Sequence, residues 1–203
     1  VTFTNQAAGE LRSRLEEELG GKRAVRSITI GTFHAICLHQ LEPKHLLDQG
    51  EAEKLAAEAI RLQGLSVTPG SFLQQISRWK NTGECSLSEE ACSAYQTLLS
   101  QADARDFDDL LLEALALGKK ELGAKTAYLL VDEFQDVNPV QYQLVTQWSS
   151  GGSGLFVIGD PDQSIYGFRG SDARCFEKLL EDFPQTETVS LIQNYRSTSQ
   201  ILS

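Results

Sequence analysis

Apolar and polar positions recur along this chain with two periods, and the changes of period divide it into three stretches. The first opens on Val1-Thr2-Phe3-Thr4, an alternating, strand-like run. Ala8, Leu11, Leu15 and Leu19 then follow at three- and four-residue spacing, the stripe of an amphipathic helix. The spacing predicts a helix from Asn5 to about Leu19, closed by Gly20-Gly21 because glycine enters the left-handed cap conformation without a Cβ clash. Ile28–Ile30 is a second strand candidate, and His34–Leu41 a second helix. From Glu42 to Leu117 strand candidates vanish. Helical spacing runs through Glu51–Leu62, Ser71–Trp79, Glu89–Leu99 and Phe107–Leu117, with Ser86 and Glu89 set as a capping box for the third. The last stretch returns to short apolar runs at Tyr128–Val131, Leu155–Ile158 and Thr188–Leu191. Between the first two, Asn138-Pro139 reads as an N-cap followed by proline at the first helical position, opening a helix to Trp148.

Short apolar strands alternating with helices predict an α/β fold with a mostly parallel sheet. Residues 1–41 and 118–203 would form it, and residues 42–117 would be an all-helical insertion. At 203 residues there is room for one good core, or one core with a smaller satellite. A hydrophobic content of 41% against 23% charged residues excludes wholesale disorder.

The net charge of −10 changes the picture of possible partners. A broad positive field gripping many phosphates is excluded, so any contact with nucleic acid must use local basic and aromatic groups. Arg12, Arg14, Lys22, Arg23 and Arg26 form the notable basic cluster, read by default as solvated helix and loop faces and otherwise as a phosphate-contacting edge. Four cysteines without a C-x-x-C pair argue against zinc, and with no signal peptide or long apolar run they suit a reduced, cytoplasmic protein with no membrane partner. The chain contains no methionine, starts on a strand and stops just after a helix start, which suggests a segment of something longer.

Candidate chemistry is concentrated in the last third. Tyr128-Leu129-Leu130-Val131-Asp132-Glu133 puts two acids at the C-terminal end of a buried strand, where α/β folds place their ligands. In P-loop NTPases the first such acid holds magnesium and the second can activate water. A strand ending in two solvated acids has the same pattern, and the neighbouring residues separate the two possibilities. Asp132-Glu133-Phe134-Gln135-Asp136 resembles the DExQD box of superfamily 1 helicases, and residues 155–170, LFVIGDPDQSIYGFRG, resemble the next box of that family. VTFTNQAAGELRSRL at residues 1–15 resembles box Ia, Gly31-Thr32-Phe33-His34 box Ib, and Gln193-Asn194-Tyr195-Arg196-Ser197 motif IV. Asp106-Phe107-Asp108-Asp109-Leu110 also recurs in that family, near the end of its helical insertion, subdomain 1B. As an ordered set these segments resemble the UvrD/Rep-like helicases of superfamily 1A, from motif Ia to motif IV.

The resemblance implies a partial RecA-like P-loop NTPase domain, with residues 42–117 as a 1B-like insertion. It implies a parent enzyme that couples ATP hydrolysis to 3′–5′ movement along single-stranded DNA and unwinds duplex DNA, with Mg2+ as cofactor. Asp132 would coordinate magnesium, and Glu133 would be the general base on the attacking water. Gln163 would touch the γ-phosphate. Tyr195 would stack on adenine, and Arg196 would reach the γ-phosphate as a finger. Phe3, Tyr166 and Phe168 would stack on bases, Arg169 would lie next to the DNA backbone, and Thr32 and His34 would line the same track. Stacking suits a translocase because every base offers a π-face, at about 1–3 kcal/mol each. On pattern alone Phe3 is equally a core strand residue, His34 a cap or core hydrogen-bonder, and Tyr195 and Arg196 members of a surface turn.

The sequence departs from the family in three places. No G-x-x-x-x-G-K-[ST] phosphate loop is present: Gly21-Lys22-Arg23 and Gly118-Lys119-Lys120 lack its leading glycine and its Ser/Thr. The arginine-bearing boxes of a second motor domain are absent. Gln6 stands where many relatives carry lysine. This chain alone is therefore expected to be inactive, lacking also the strand that feeds the loop. Other readings are the motor segment of a RecB/AddA-type helicase–nuclease, a non-catalytic DNA-binding or scaffold module, and an unrelated P-loop ATPase, which LFVIGDPDQSIYGFRG opposes.

Overall fold

The computed structural model describes residues 1–41, 45–118, 126–163, 174–195 and 200. In chain order its elements are α1 (Asn5–Glu18), α2 (Phe33–Leu41), α3 (Gln49–Leu62), α4 (Pro69–Thr82), α5 (Glu89–Gln101), α6 (Phe107–Ala116), β1 (Tyr128–Val131), α7 (Pro139–Ser149), β2 (Gly154–Val157) and α8 (Cys175–Asp182). Short 3-10 turns occupy Phe134–Asp136 and Pro161–Gln163.

Each helix of the first two stretches lies within a few residues of its expected position, and local caps explain where most begin. Thr4 accepts a hydrogen bond from the Ala7 N–H at 3.0 Å. Asp48 with Glu51, Asp106 with Asp109, and Asn138 with Gln141 form reciprocal capping boxes for α3, α6 and α7. The box expected from Ser86 and Glu89 is not made. Ser88, immediately before the first helical residue, caps the Ala91 N–H instead, and the Ser86 hydroxyl turns to Gln75. The N-cap is the residue directly before the first helical one, which leaves Ser86 two positions too far upstream.

β1 and β2 pair in parallel, Tyr128 opposite Gly154 through Val131 opposite Val157. The chain is thus α/β with a two-stranded parallel sheet among the described residues. Three other expected strands do not form. At Val1–Thr4 the run is shortened because Thr4 already caps α1. Its first two residues still extend the sheet pattern by single steps. The Val1 nitrogen donates to Leu130 O at 2.7 Å, Asp132 N–H donates to Val1 O at 3.0 Å, and Thr2 bridges in parallel to Thr32. Ile28–Ile30 leaves a turn, with Ile28 N–H bonded to Val25 O, and pairs only beyond its end, where Gly31 O accepts from Thr2 N–H. Thr188–Leu191 takes no regular secondary structure and joins no described ladder, and Leu191 is 91% exposed.

Buried apolar residues fall into two clusters. The first gathers Phe33, Leu110, Leu111, Val131, Phe134, Leu144 and Trp148 from α2, α6, α7, β1 and the turn after it. The second gathers Ala56, Phe72, Ile76, Tyr95 and Leu99 from α3, α4 and α5. A buried polar clamp joins them. Lys80 on α4 donates to Asp106 and Asp109, each at 2.7 Å, and Asn81 donates to Asp108 at 2.6 Å. Burial pushes the Asp106 carboxyl above the usual range even though Lys80 pulls it the other way. No described helix is long and apolar enough to cross a membrane.

Candidate functional site

The site is built outward from the end of β1. Val131 is buried, and the chain emerges from it at Asp132-Glu133. Glu133 adopts φ 51°, a left-handed backbone that non-glycine residues rarely take. Its N–H is held by Asp132 Oδ1 at 3.0 Å. The turn beyond it is tied to the end of β2 by Phe134 N–H donating to Ile158 O at 2.9 Å. The next residue, Gly159, sits so close that a Cβ would meet Gln135 Oε1 at 2.5 Å and Phe134 N at 2.9 Å. Glycine is required there by contact.

Gln135 is buried between the two strand ends. Its Nε2 donates to Glu133 Oε2 at 2.7 Å, and its Oε1 accepts from Asp160 N–H at 3.0 Å. Asp160 in turn accepts from Asp162 N–H at 3.0 Å and from Gln163 Nε2 at 2.7 Å. Asp132, Glu133 and Gln163 are therefore members of one hydrogen-bonded corner at the C-terminal ends of both strands. Asp136, at the far end of the turn, has its carboxyl pushed up by burial and then by the charge of Glu133, and its Oδ1 is buried without a hydrogen-bond partner.

The same turn reaches a second feature. A groove of about 480 Å³ runs beside it, lined by Thr2, Phe3 and Thr4, by Thr32, Phe33 and His34, and by Gln74, Ser77, Arg78 and Asn81 of α4. Phe107 and Asp108 of α6 and Asp136, Asn138 and Gln141 complete it. Phe3 meets Phe33 edge-on with ring centroids 5.9 Å apart, and Phe33 stacks on Trp148 at 5.7 Å. Phe3 is thus backed by the core while part of it faces the groove. Thr32 uses its hydroxyl to cap α2, accepting from Ala35 N–H at 3.1 Å. His34 lies edge-on to Phe107 at 5.7 Å, and burial lowers its pKa against the pull of Asp108, so the ring is neutral at neutral pH.

Of the candidate residues, the fold brings Asp132, Glu133 and Gln163 to one corner and Phe3, Thr32 and His34 to one groove. Tyr195 stands apart, 92% exposed in the irregular segment after α8. Tyr166, Phe168, Arg169 and Arg196 lie outside the described residues. Phe107, with 52% of its surface exposed, joins the groove although no motif role attaches to it. The sequence did carry a signal for it, an aromatic at the first helical position directly after the cap Asp106, where it has no helical neighbour to cover it. Gln74, Ser77 and Arg78 carried none, since their only pattern is the polar face of an ordinary helix.

Comparison with known proteins gives a consistent result. The profile of the UvrD/REP helicase N-terminal domain matches residues 1–62 and 43–184. The chain is 34% identical to the ATP-dependent DNA helicase srs2 of Schizosaccharomyces pombe, over all of this chain and 28% of that protein. It is 32% identical to the ATP-dependent DNA helicase PcrA of Staphylococcus epidermidis and of Staphylococcus aureus, again over all of this chain and 32% of each relative. The chain therefore spans about a third of the length of these relatives.

Proposed function

Because this chain belongs to the UvrD/REP helicase family through the N-terminal domain of that family, we propose that it is part of an ATP-dependent DNA helicase. The whole protein would move 3′ to 5′ along single-stranded DNA and separate duplex DNA. The observation that carries this reading is the turn Phe134–Asp136, which has the acid corner at one end and the aromatic groove at the other. A motor needs chemistry and grip on one rigid piece, and this turn is such a piece.

The work is divided between the two ends of that turn. Asp132 would hold Mg2+, and Glu133 would take the proton of the attacking water. Gln163 senses the γ-phosphate, Arg196 stabilises charge on it, and Tyr195 stacks on adenine. Phe3 stacks on bases of the tracked strand with Tyr166 and Phe168, Arg169 lies at the backbone, and Thr32 and His34 line the track. The helices of residues 42–117 form the inserted subdomain 1B, supplying the α4 wall of the groove.

The donor set fits this assignment in part. Carboxylates at a strand end suit magnesium, which is commonly held by one or two of them together with phosphates and water. Among the described residues no group of three His, Cys, Asp or Glu side chains gathers to hold the ion, and Asp132 would be one of its ligands. Bound ATP–Mg2+ brings the reacting phosphoryl group and neutralises its charge. The phosphate cradle itself is not encoded in this chain, which alone would neither bind nucleotide tightly nor hydrolyse it.

The test is strand displacement by the full-length protein on duplexes with a 3′ or a 5′ single-stranded tail. The reading expects ATP-dependent separation from the 3′ tail. Separation from the 5′ tail alone would overturn the direction. Tight DNA binding without any separation would favour a scaffold derived from a helicase lobe.

A further inference from the structure

The geometry points to Gln135 as a positioning residue that couples the nucleotide corner to the DNA track. This inference rests on the roles proposed for Glu133 and Gln163 and gives a role to a third residue that joins them. Gln135 is 3% exposed, yet it is polar and sits between two strand ends whose backbone carbonyls and amides are already engaged. A buried amide is tolerated only when its donors and acceptor are matched. Here they are matched in one orientation only. Glu133 Oε2 can only accept, and Asp160 N–H can only donate, so Nε2 must face the first and Oε1 the second.

The result is a continuous relay. Glu133 Oε2 accepts from Gln135 Nε2, Gln135 Oε1 accepts from Asp160 N–H, and Asp160 Oδ2 accepts from Gln163 Nε2. Every link measures between 2.7 and 3.0 Å. The relay begins at the acid proposed to activate water. It ends at Gln163, the residue directly before the segment bearing Tyr166, Phe168 and Arg169. Its centre is closely packed, since Gly159 leaves no room for a Cβ against Gln135 and Phe134. Its other side is the groove, since Asp136 comes next after Gln135 in the same turn and lines it.

This connectivity has two consequences. Gln135 holds the Glu133 side chain in one rotamer above a left-handed backbone that would otherwise leave it free to swing. It also makes a shift of Gln163 felt at Glu133 through hydrogen bonds, rather than through packing alone.

The experiment uses the full-length protein with Gln135→Leu, which removes both bonds at similar volume, and Gln135→Glu, which keeps an acceptor for Asp160 N–H and removes the donor to Glu133. The first readout is amide hydrogen exchange at Asp160 without nucleotide. Exchange should quicken in Gln135→Leu and stay near the parent rate in Gln135→Glu. The second is single-stranded DNA affinity with and without a non-hydrolysable ATP analogue. The ratio of the two should fall toward one in Gln135→Leu, erasing a coupling typically about 5- to 150-fold. The third is DNA-stimulated turnover, where both variants should lose kcat by about a hundredfold with KM for ATP little changed.

An unchanged coupling ratio and kcat in Gln135→Leu would overturn the inference, as would the same in Gln135→Glu should the leucine variant not fold. Glu133→Gln separates the two levels. If it keeps parental turnover, the reading of Glu133 fails. If it loses turnover while both Gln135 variants match the parent, only the role of Gln135 fails.

Discussion

The β1–β2 sheet is far richer in apolar residues than the α3–α5 lobe, yet it is the less covered of the two. In the lobe, Phe72 meets Tyr95 edge-on at 5.9 Å, and both are fully buried with Ile76 and Leu99. On the sheet, Tyr128, Leu130, Phe156 and Ile158 share one face and remain largely exposed, Tyr128 at 69%. A helix satisfies its own backbone and needs only a neighbour for its stripe, which the next 20 or so residues can provide. A strand needs partners on both edges and cover on both faces, and in a parallel sheet these come from distant parts of a chain. The lobe is closed by local sequence. The sheet keeps one face open among the described residues.

Substitutions in the two regions should differ in cost accordingly. Lys80→Met, at the clamp between the regions, leaves Asp106 and Asp109 without their cation and should cost about 3–5 kcal/mol, read from denaturant midpoints. Ile76→Ala in the lobe core should cost about 2–5 kcal/mol. Leu130→Ala on the open face should stay within about 0.5 kcal/mol. A loss at Leu130 as large as at Ile76 would mean that this face is covered, and the contrast would fall. Phe3→Ala, in the groove between the regions, should weaken single-stranded DNA binding by about 1–3 kcal/mol in a titration with labelled oligonucleotide. The caps carry a modest effect. Ser88→Ala should destabilise α5 by about 1 kcal/mol, with Ser86→Ala costing less.

The same contrast explains what could be read from the sequence. Helices α1 to α7 were legible because spacing and caps act within a few residues, as at Asp106/Asp109 and Asn138-Pro139. Only the choice of Ser86 over Ser88 failed, a matter of two residues. Strands were legible at Tyr128 and Leu155, where an apolar run has a partner. They were over-read at Ile28 and Thr188, where composition favours a strand but no described ladder takes it. At the site, the acids and the groove residues stood out as motifs. The link between them did not, since Gln135 becomes meaningful only when β2 brings Asp160 beside it. The polar wall from α4 is likewise a product of packing, through Lys80 and Asn81, and not of local pattern.

ATP turnover by the full-length protein, with and without single-stranded DNA, should be measured beside its Glu133→Gln variant. Turnover should be stimulated by DNA in the parent and fall by at least about a hundredfold in the variant, with DNA binding retained. Equal turnover in the two proteins, or a folded, DNA-binding parent with no turnover at all, would contradict the proposed function.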